Sequence, residues 1–66
     1  MLVDVIRVKA QMAYRGIDSK GLAEQMGISY TTLLYKFKNP AKFKIGEVQR
    51  MADLIGIEDV REIVFR

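Results

Sequence analysis

Residues 18–39, D-S-K-G-L-A-E-Q-M-G-I-S-Y-T-T-L-L-Y-K-F-K-N, decide the fold because they hold two helix starts and one helix stop. Asp18 and Ser29 are residue types whose side-chain oxygens accept hydrogen bonds from the free N–H groups that open a helix. Gly27 stands between them, where a helix that ends and turns favours a residue tolerant of positive φ. The pattern predicts a helix over Ser19–Met26, a three-residue turn, and a helix over Tyr30–Lys38.

The apolar residues of this stretch are spaced for two helices that share a core. Leu22, Ala23 and Met26 form one face of the first helix, and Leu33 and Phe37 form one face of the second. Two short helices joined by a tight turn, with polar and basic residues outward on the second, are typical of a helix-turn-helix. An ordinary helical hairpin in a small bundle would produce the same pattern.

The rest of the chain predicts further helices. We expect a helix over residues 3–15, with Val5, Val8 and Met12 facing the core and Ile6 and Ala13 widening that face. Another is predicted over Ile45–Ile55, with an apolar face that the sequence assigns to Ile45, Val48, Met51, Ala52 and Ile55. Val60–Phe65 fits either a fifth helix or a short extended arm, and the helix is slightly favoured. The prediction is therefore all-α: a compact four- to five-helix domain over residues 1–66.

Length and composition exclude several classes of protein. A chain of 66 residues allows one domain, and so short a chain often needs help from oligomerisation, metal or disulfides. The absence of Cys and His excludes disulfides and the usual zinc sites. Without those residues or a Gly-rich phosphate loop, we expect no enzyme activity, no cofactor and no small-molecule ligand. No apolar run is long enough to span a membrane and no secretory signal is recognisable, so we expect a cytoplasmic protein.

The basic residues are concentrated in one part of the chain. Residues 25–44 carry Lys36, Lys38, Lys42 and Lys44 and no acidic residue, whereas residues 45–66 carry more acids than bases. A local excess of lysine is expected where a protein contacts phosphate groups. A solvated lysine-rich face is the alternative.

The outer face of the helix over Tyr30–Lys38 combines hydroxyl, aromatic and basic groups. Thr31, Tyr35 and Lys38 lie opposite the predicted core, Thr32 and Leu34 flank them, and Tyr30 is at the N-terminal tip. Such a face suits base edges in a DNA major groove, including the methyl group of thymine. Alternatively, the two tyrosines cover the edge of the core. Asn39 and Pro40 end the helix, and Lys42 and Lys44 then flank Phe43, a natural arrangement for phosphate contact.

Two segments of the chain, G-I-D-S-K-G-L-A-E-Q-M-G-I-S-Y-T-T-L and I-G-E-V-Q-R-M-A-D-L-I-G-I, resemble the phage Cro and repressor helix-turn-helix family, most closely the small prophage Cro-like regulators. The resemblance implies a lambda-repressor-like DNA-binding fold that binds operator DNA as a symmetric dimer. It places base contacts on Tyr30, Thr31, Thr32 and Tyr35. It places phosphate contacts on Ser19, Lys20, Asn39, Lys42 and Lys44, and we add Ser29, Lys36 and Lys38 as polar or basic residues of the same surface.

The chain departs from the family at two places. Ser19 stands where many members carry Gln, which braces both a phosphate and a base-contacting residue. Leu34 and Tyr35 stand where many members carry polar or basic residues. A more apolar face is compatible with thymine methyl contacts, with weaker specificity, or with a surface used for another protein.

Two functions follow as hypotheses. The first is a sequence-specific DNA-binding transcriptional regulator that binds double-stranded DNA as a homodimer. Leu54, Val64 and Phe65 look surplus to a monomer core and form the candidate dimer interface, unless they close the bottom of a single domain. The second is a protein-interaction module of the same fold, antirepressor-like or antitoxin-like, that has lost DNA affinity.

Overall fold

Within residues 1–65, three of the four α-helices begin at a residue whose side chain caps the helix, and three end at a glycine. The structure, a computed structural model, describes residues 1–65. The helices are α1 (Val5–Arg15), α2 (Ser19–Met26), α3 (Tyr30–Lys38) and α4 (Ile45–Ile55). Two short strands, β1 (Leu2–Val3) and β2 (Val64–Phe65), and two 3-10 turns, Pro40–Lys42 and Val60–Ile63, complete the described chain. The predicted bounds of α2, α3 and α4 are confirmed, and the domain is mostly helical.

Side-chain caps account for where the helices start. Asp18 accepts a hydrogen bond from the Gly21 N–H at 2.7 Å, and Ser29 accepts one from the Thr32 N–H at 3.0 Å. At the start of α4 the capping side chain comes from inside the helix: the Glu47 carboxylate accepts a hydrogen bond from the backbone N–H of Lys44, the residue before the helix. These bonds satisfy N–H groups that have no partner within the helix.

The glycines at the helix ends adopt the left-handed conformation. Gly27 has φ +73°, and its N–H donates to backbone carbonyls in the last turn of α2. Gly16 and Gly56 end α1 and α4 in the same way. Left-handed backbone is costly for residues with a Cβ, so glycine fixes the sharp turn between α2 and α3.

One hydrophobic core joins all four helices to the segments at both ends of the chain. The largest fully buried side chains are Val3, Val8, Leu22, Leu33, Val48, Met51, Ile55 and Ile63. Phe37 and Phe43 are also buried, with ring centroids 6.0 Å apart. Within residues 1–65 no polar or charged residue is classed as buried, so burial of apolar side chains dominates this core. The single domain predicted from the sequence extends to Arg66, which lies outside the described residues.

The first helix is shorter than predicted and faces the core differently. It begins at Val5 with Asp4 as its cap, because Leu2–Val3 is extended and pairs with β2. Ile6, predicted on the core face, is 84% exposed, and Ala13 is exposed as well. Ile45 of α4 was also predicted in the core and is exposed. The predicted burial of these three residues is wrong, because they lie at the margin of an apolar helix face of which only the centre reaches the core.

The C-terminal segment is not a fifth helix. Val60–Ile63 forms a 3-10 turn capped by the Asp59 side chain, and the chain then enters β2. β1 and β2 are antiparallel, with Leu2 opposite Phe65 and Val3 opposite Val64. A hydrogen bond of 2.7 Å from the Asp4 N–H to the Ile63 carbonyl continues this connection. The extended-arm interpretation is therefore confirmed for the last two described residues.

The helices of the described chain are all too short or too polar to cross a lipid bilayer.

Candidate nucleic-acid interface

Thr31, Leu34, Tyr35 and Lys38 are exposed on the outer face of α3, and a shallow depression between their side chains is called the groove below. These side chains project away from the core because Leu33 and Phe37, on the opposite side of the helix, are buried. Tyr35 is 53% exposed and Leu34 is 36% exposed. The groove wall is mainly apolar, and Lys38 supplies its positive charge.

The two tyrosines predicted as base contacts lie outside the core. Tyr30 and Tyr35 are both exposed and absent from the buried cluster. The Lys20 ammonium lies 6.0 Å from the centre of the Tyr30 ring, at the limit of a cation–π contact. The structure therefore brings Lys20, at the start of α2, close to Tyr30, at the start of α3.

Three of the predicted contact residues already have partners within α3. The Ser29 hydroxyl accepts from the Thr32 N–H and donates to the Thr32 hydroxyl at 2.7 Å. At the other end of the helix, the Asn39 side-chain amide donates to the Tyr35 carbonyl at 2.9 Å. These groups are exposed, but their hydrogen-bonding capacity is partly used in closing the helix ends.

The start of α2 is less suited to phosphate than predicted. Asp18 occupies the Gly21 N–H and places a carboxylate in the first turn, where a phosphate would be repelled. Ser19 is half-buried, whereas Lys20 is exposed. Lys20 is consequently the residue of this turn best placed to meet an anion.

Lys36 does not belong to the exposed basic surface. Its ammonium lies within hydrogen-bonding distance of both carboxylate oxygens of Glu47, and the two side chains are only 11% and 21% exposed. This ion pair ties α3 to the first turn of α4. The phosphate contact predicted for Lys36 is corrected on this ground, since the charge that would attract phosphate is already neutralised.

The Lys36–Glu47 pair also lowers the pKa of Glu47. Partial burial acts to raise the pKa of Glu47, but hydrogen bonds from Lys36 and the Lys44 N–H, with the positive charges of both lysines, outweigh it. The net effect is a pKa below the usual value for a glutamate. Glu47 is therefore ionised in the folded protein at neutral pH.

The loop after α3 presents lysines around a buried anchor. Phe43 is buried next to Phe37. Lys42, in the 3-10 turn, and Lys44, at the cap of α4, are both exposed on either side of it. Lys38, Lys42 and Lys44 take part in none of the ion pairs within residues 1–65. Of the four lysines in residues 25–44, Lys38, Lys42 and Lys44 therefore remain available to contact phosphate, and Lys36 does not.

Sequence reasoning missed the role of Glu47 and understated that of Leu34. The signal for Glu47 was present, because an acidic residue three positions after a helix cap is the usual partner of the cap N–H. Its pairing with Lys36 had no such signal, since it depends on how α3 and α4 pack. Leu34 was predicted to flank the outer face, whereas it lines the groove itself.

Comparison of the chain with protein-family models, characterised proteins and solved structures finds no match in any of the three. The resemblance to the Cro and repressor family accordingly stays a prediction.

Proposed function

We propose that this protein is a sequence-specific DNA-binding transcriptional regulator of the Cro and repressor type. In this proposal α2, the turn at residues 27–29 and α3 form a helix-turn-helix. The supporting observation is the exposed groove of Thr31, Leu34, Tyr35 and Lys38 on a short helix. The loop that follows carries exposed lysines that take part in none of the ion pairs within residues 1–65. An α-helix fits the major groove of B-DNA, and lysines beside it meet the phosphates.

The two kinds of contact would have different roles. Lys20, Lys38, Lys42 and Lys44 supply sequence-independent affinity, because neutralising phosphates releases condensed counterions. Tyr30, Thr31 and Tyr35 face the bases and supply selectivity. Occupancy of the operator would then block or recruit the transcription machinery.

We also propose that the regulator acts as a homodimer. The cross-strand partners Leu2 and Phe65 are both exposed, so they form an apolar patch on one face of the β1–β2 pair. Val64 is opposite the buried Val3, so it lies on the other face of the strand pair, where it packs against the core. Leu54 lines a different cleft with Ile17 and Leu22, a cleft whose walls include neither Val64 nor Phe65. Of the three residues predicted for the dimer interface, we therefore keep Phe65, add its cross-strand partner Leu2, and leave out Leu54 and Val64.

The test is binding to random duplex DNA, measured by fluorescence anisotropy across a salt series. We expect affinity to fall steeply with salt, and the logarithmic slope to change by about 0.9 for each phosphate contact removed. Lys42→Ala should make that slope shallower by about one unit, the change expected for the loss of one phosphate contact. Arg61→Ala is the matched control, because it removes the same charge from the C-terminal turn, where Arg61 is paired with Asp59. Equal slopes for the two variants, or no binding at low salt, would contradict the proposal.

A protein-interaction module is the second candidate. The observation that favours it is the apolar character of the groove, where Leu34 and Tyr35 expose surface usually occupied by polar groups in DNA-reading helices. This candidate predicts absent or salt-insensitive DNA binding. The salt series above therefore separates the two candidates without knowledge of either partner.

A further inference from the structure

The side chains that usually read bases by paired hydrogen bonds are missing from α3. Its sequence, Y-T-T-L-L-Y-K-F-K, contains no Arg, Asn or Gln. Arginine and lysine recognise guanine through O6 and N7, and asparagine or glutamine recognises adenine through N6 and N7. Of these types α3 has only its two lysines, and Lys36 is turned inward to Glu47.

The polar groups that remain near the groove are few. The Thr32 hydroxyl is bonded to Ser29, and the Asn39 amide donates to the carbonyl of Tyr35. Thr31, the Tyr35 hydroxyl and Lys38 are left on the outer face, beside the side chain of Leu34. The surface that α3 offers is thus mainly methyl, methylene and aromatic carbon.

In the major groove, thymine presents a methyl group on C5 next to the O4 acceptor. The groove of α3 matches both features, because Leu34, Tyr35 and the Thr31 methyl are apolar while Lys38 and the Tyr35 hydroxyl can donate. Cytosine is a poorer match, since it offers an amino donor where thymine offers O4. The lysines around the groove supply the charge complementarity to duplex DNA.

We infer that this protein selects its operator mainly through the 5-methyl groups of thymine. The inference rests on the proposed function, and it names the chemical feature of DNA that the α3 groove recognises. Specificity would come from burying methyl groups against Leu34 and Tyr35, with hydrogen bonds to bases in a minor role. The selected half-sites should accordingly carry thymines where α3 enters the major groove.

The experiment begins with an operator selected from a random duplex library by the full chain. Each thymine is then replaced in turn by uracil, which removes the methyl group and keeps the hydrogen-bonding groups. For each contacted methyl we expect an affinity loss of about fourfold, the ratio that corresponds to burying one methylene-sized group. Replacement by 5-bromouracil, whose bromine has nearly the size of a methyl group, should restore affinity. Random DNA with the same replacements should bind unchanged.

Two protein variants connect the effect to the groove. Leu34→Ala should bring the thymine-to-uracil affinity ratio close to one at the positions that Leu34 contacts, because the methyl then has no apolar partner. Tyr35→Phe keeps the ring and removes only the hydroxyl, so it should retain the ratio. Leu34 lies on the outer face, and unchanged circular dichroism would establish that its variant is folded.

The outcomes separate this inference from the proposed function. Uracil sensitivity that disappears in Leu34→Ala supports the inference. Salt-dependent DNA binding that is insensitive to uracil at every position overturns the inference and leaves DNA binding standing. Absence of binding to any duplex at low salt overturns both, and the groove would then be tested as a protein-binding surface.

Discussion

At the scale of single residues, two lysines two positions apart on α3 have opposite environments. Lys36 is paired with Glu47 and nearly buried, whereas Lys38 is exposed at the groove. A count of lysines treats them as equal. The packing of α3 on α4 gives one a structural role and leaves the other free to meet a ligand.

The contrast between Lys36 and Lys38 is testable by substitution. Lys36→Met should lower the free energy of unfolding by about 1–3 kcal/mol, because it leaves the half-buried Glu47 carboxylate without its charged partner. It should leave the salt slope of DNA binding unchanged. Lys38→Met should do the reverse, with stability kept and the slope reduced. Urea denaturation and the anisotropy salt series measure the two quantities, and a reduced slope in Lys36→Met would restore that residue to the phosphate surface.

The lowered pKa of Glu47 predicts the pH dependence of stability. The unfolded chain binds this proton more readily than the folded one, so stability rises with pH where Glu47 titrates. The stabilisation contributed by Glu47 is present above pH 4.5, the pKa of this residue in the unfolded chain, and it is lost as pH falls through the lower pKa of the folded state. We expect Glu47→Gln, which can still accept from the Lys44 N–H, to flatten this part of the profile. A profile identical to that of the wild type, measured by urea denaturation from neutral to acidic pH, would exclude Glu47 as the group.

Gly27 and Gly46 are both exposed, but substitution by alanine should have opposite effects on stability at the two positions. Gly27 has φ +73°, so Gly27→Ala should destabilise the protein by about 1–2 kcal/mol through backbone strain. Gly46 lies in the first turn of α4 with ordinary helical backbone and no atom within 4 Å of an added Cβ. Gly46→Ala should therefore stabilise it by about 0.4–1 kcal/mol. Melting temperatures that change in the same direction would show that the turn at residue 27 is not fixed by its glycine.

At the scale of elements, the sequence predicted the helices whose boundaries are marked locally. α2, α3 and α4 have capping residues and stop signals within a few positions, and their bounds agree with the structure. β1 has no such signal, because Leu2–Val3 is extended only through its pairing with the other end of the chain. The same reason explains the misassigned C-terminal helix. The candidate site likewise has a part that the sequence predicts and a part that it does not. The outward face of α3 follows from the spacing of its apolar residues, whereas the Lys36–Glu47 pair depends on how α3 packs against α4.

Two isoleucines test whether the C-terminal segment is part of the core. Ile63 is fully buried under the strand pair, whereas Ile6, on α1, is exposed. Ile63→Ala should destabilise the protein by about 2–5 kcal/mol, as expected for a buried side chain. Ile6→Ala should stay within about 0.5 kcal/mol. Equal small effects in urea denaturation would mean that the last turn and β2 add little to the folded core.

At the scale of the whole molecule, the charges that remain unpaired are distributed unevenly. Within residues 1–65, seven basic side chains lie outside the ion pairs: Lys38, Lys42 and Lys44 are close together in the chain, whereas Lys9, Arg15, Lys20 and Arg50 come from separate segments. Five of the eight acidic residues lie in residues 45–66. The apolar pair Leu2 and Phe65 lies where the two ends of the chain meet. A molecule with a basic surface at one place and an apolar patch at another suits two copies that join through the patch and present both basic surfaces to DNA.

The strand-pair patch gives the last prediction. Phe65→Ser removes an aromatic side chain that is 51% exposed and contributes little to the core, so the monomer should stay folded while the dimer dissociates at lower concentration. Tyr14→Ser is the matched control, because Tyr14 is 83% exposed on α1, away from the strands. Sedimentation across a concentration series measures dissociation for both. Loss of the dimer should weaken operator binding more than random binding, because two half-sites one helical turn apart require two joined α3 helices. A dimer that survives Phe65→Ser and dissociates in Tyr14→Ser would move the interface to the outer face of α1.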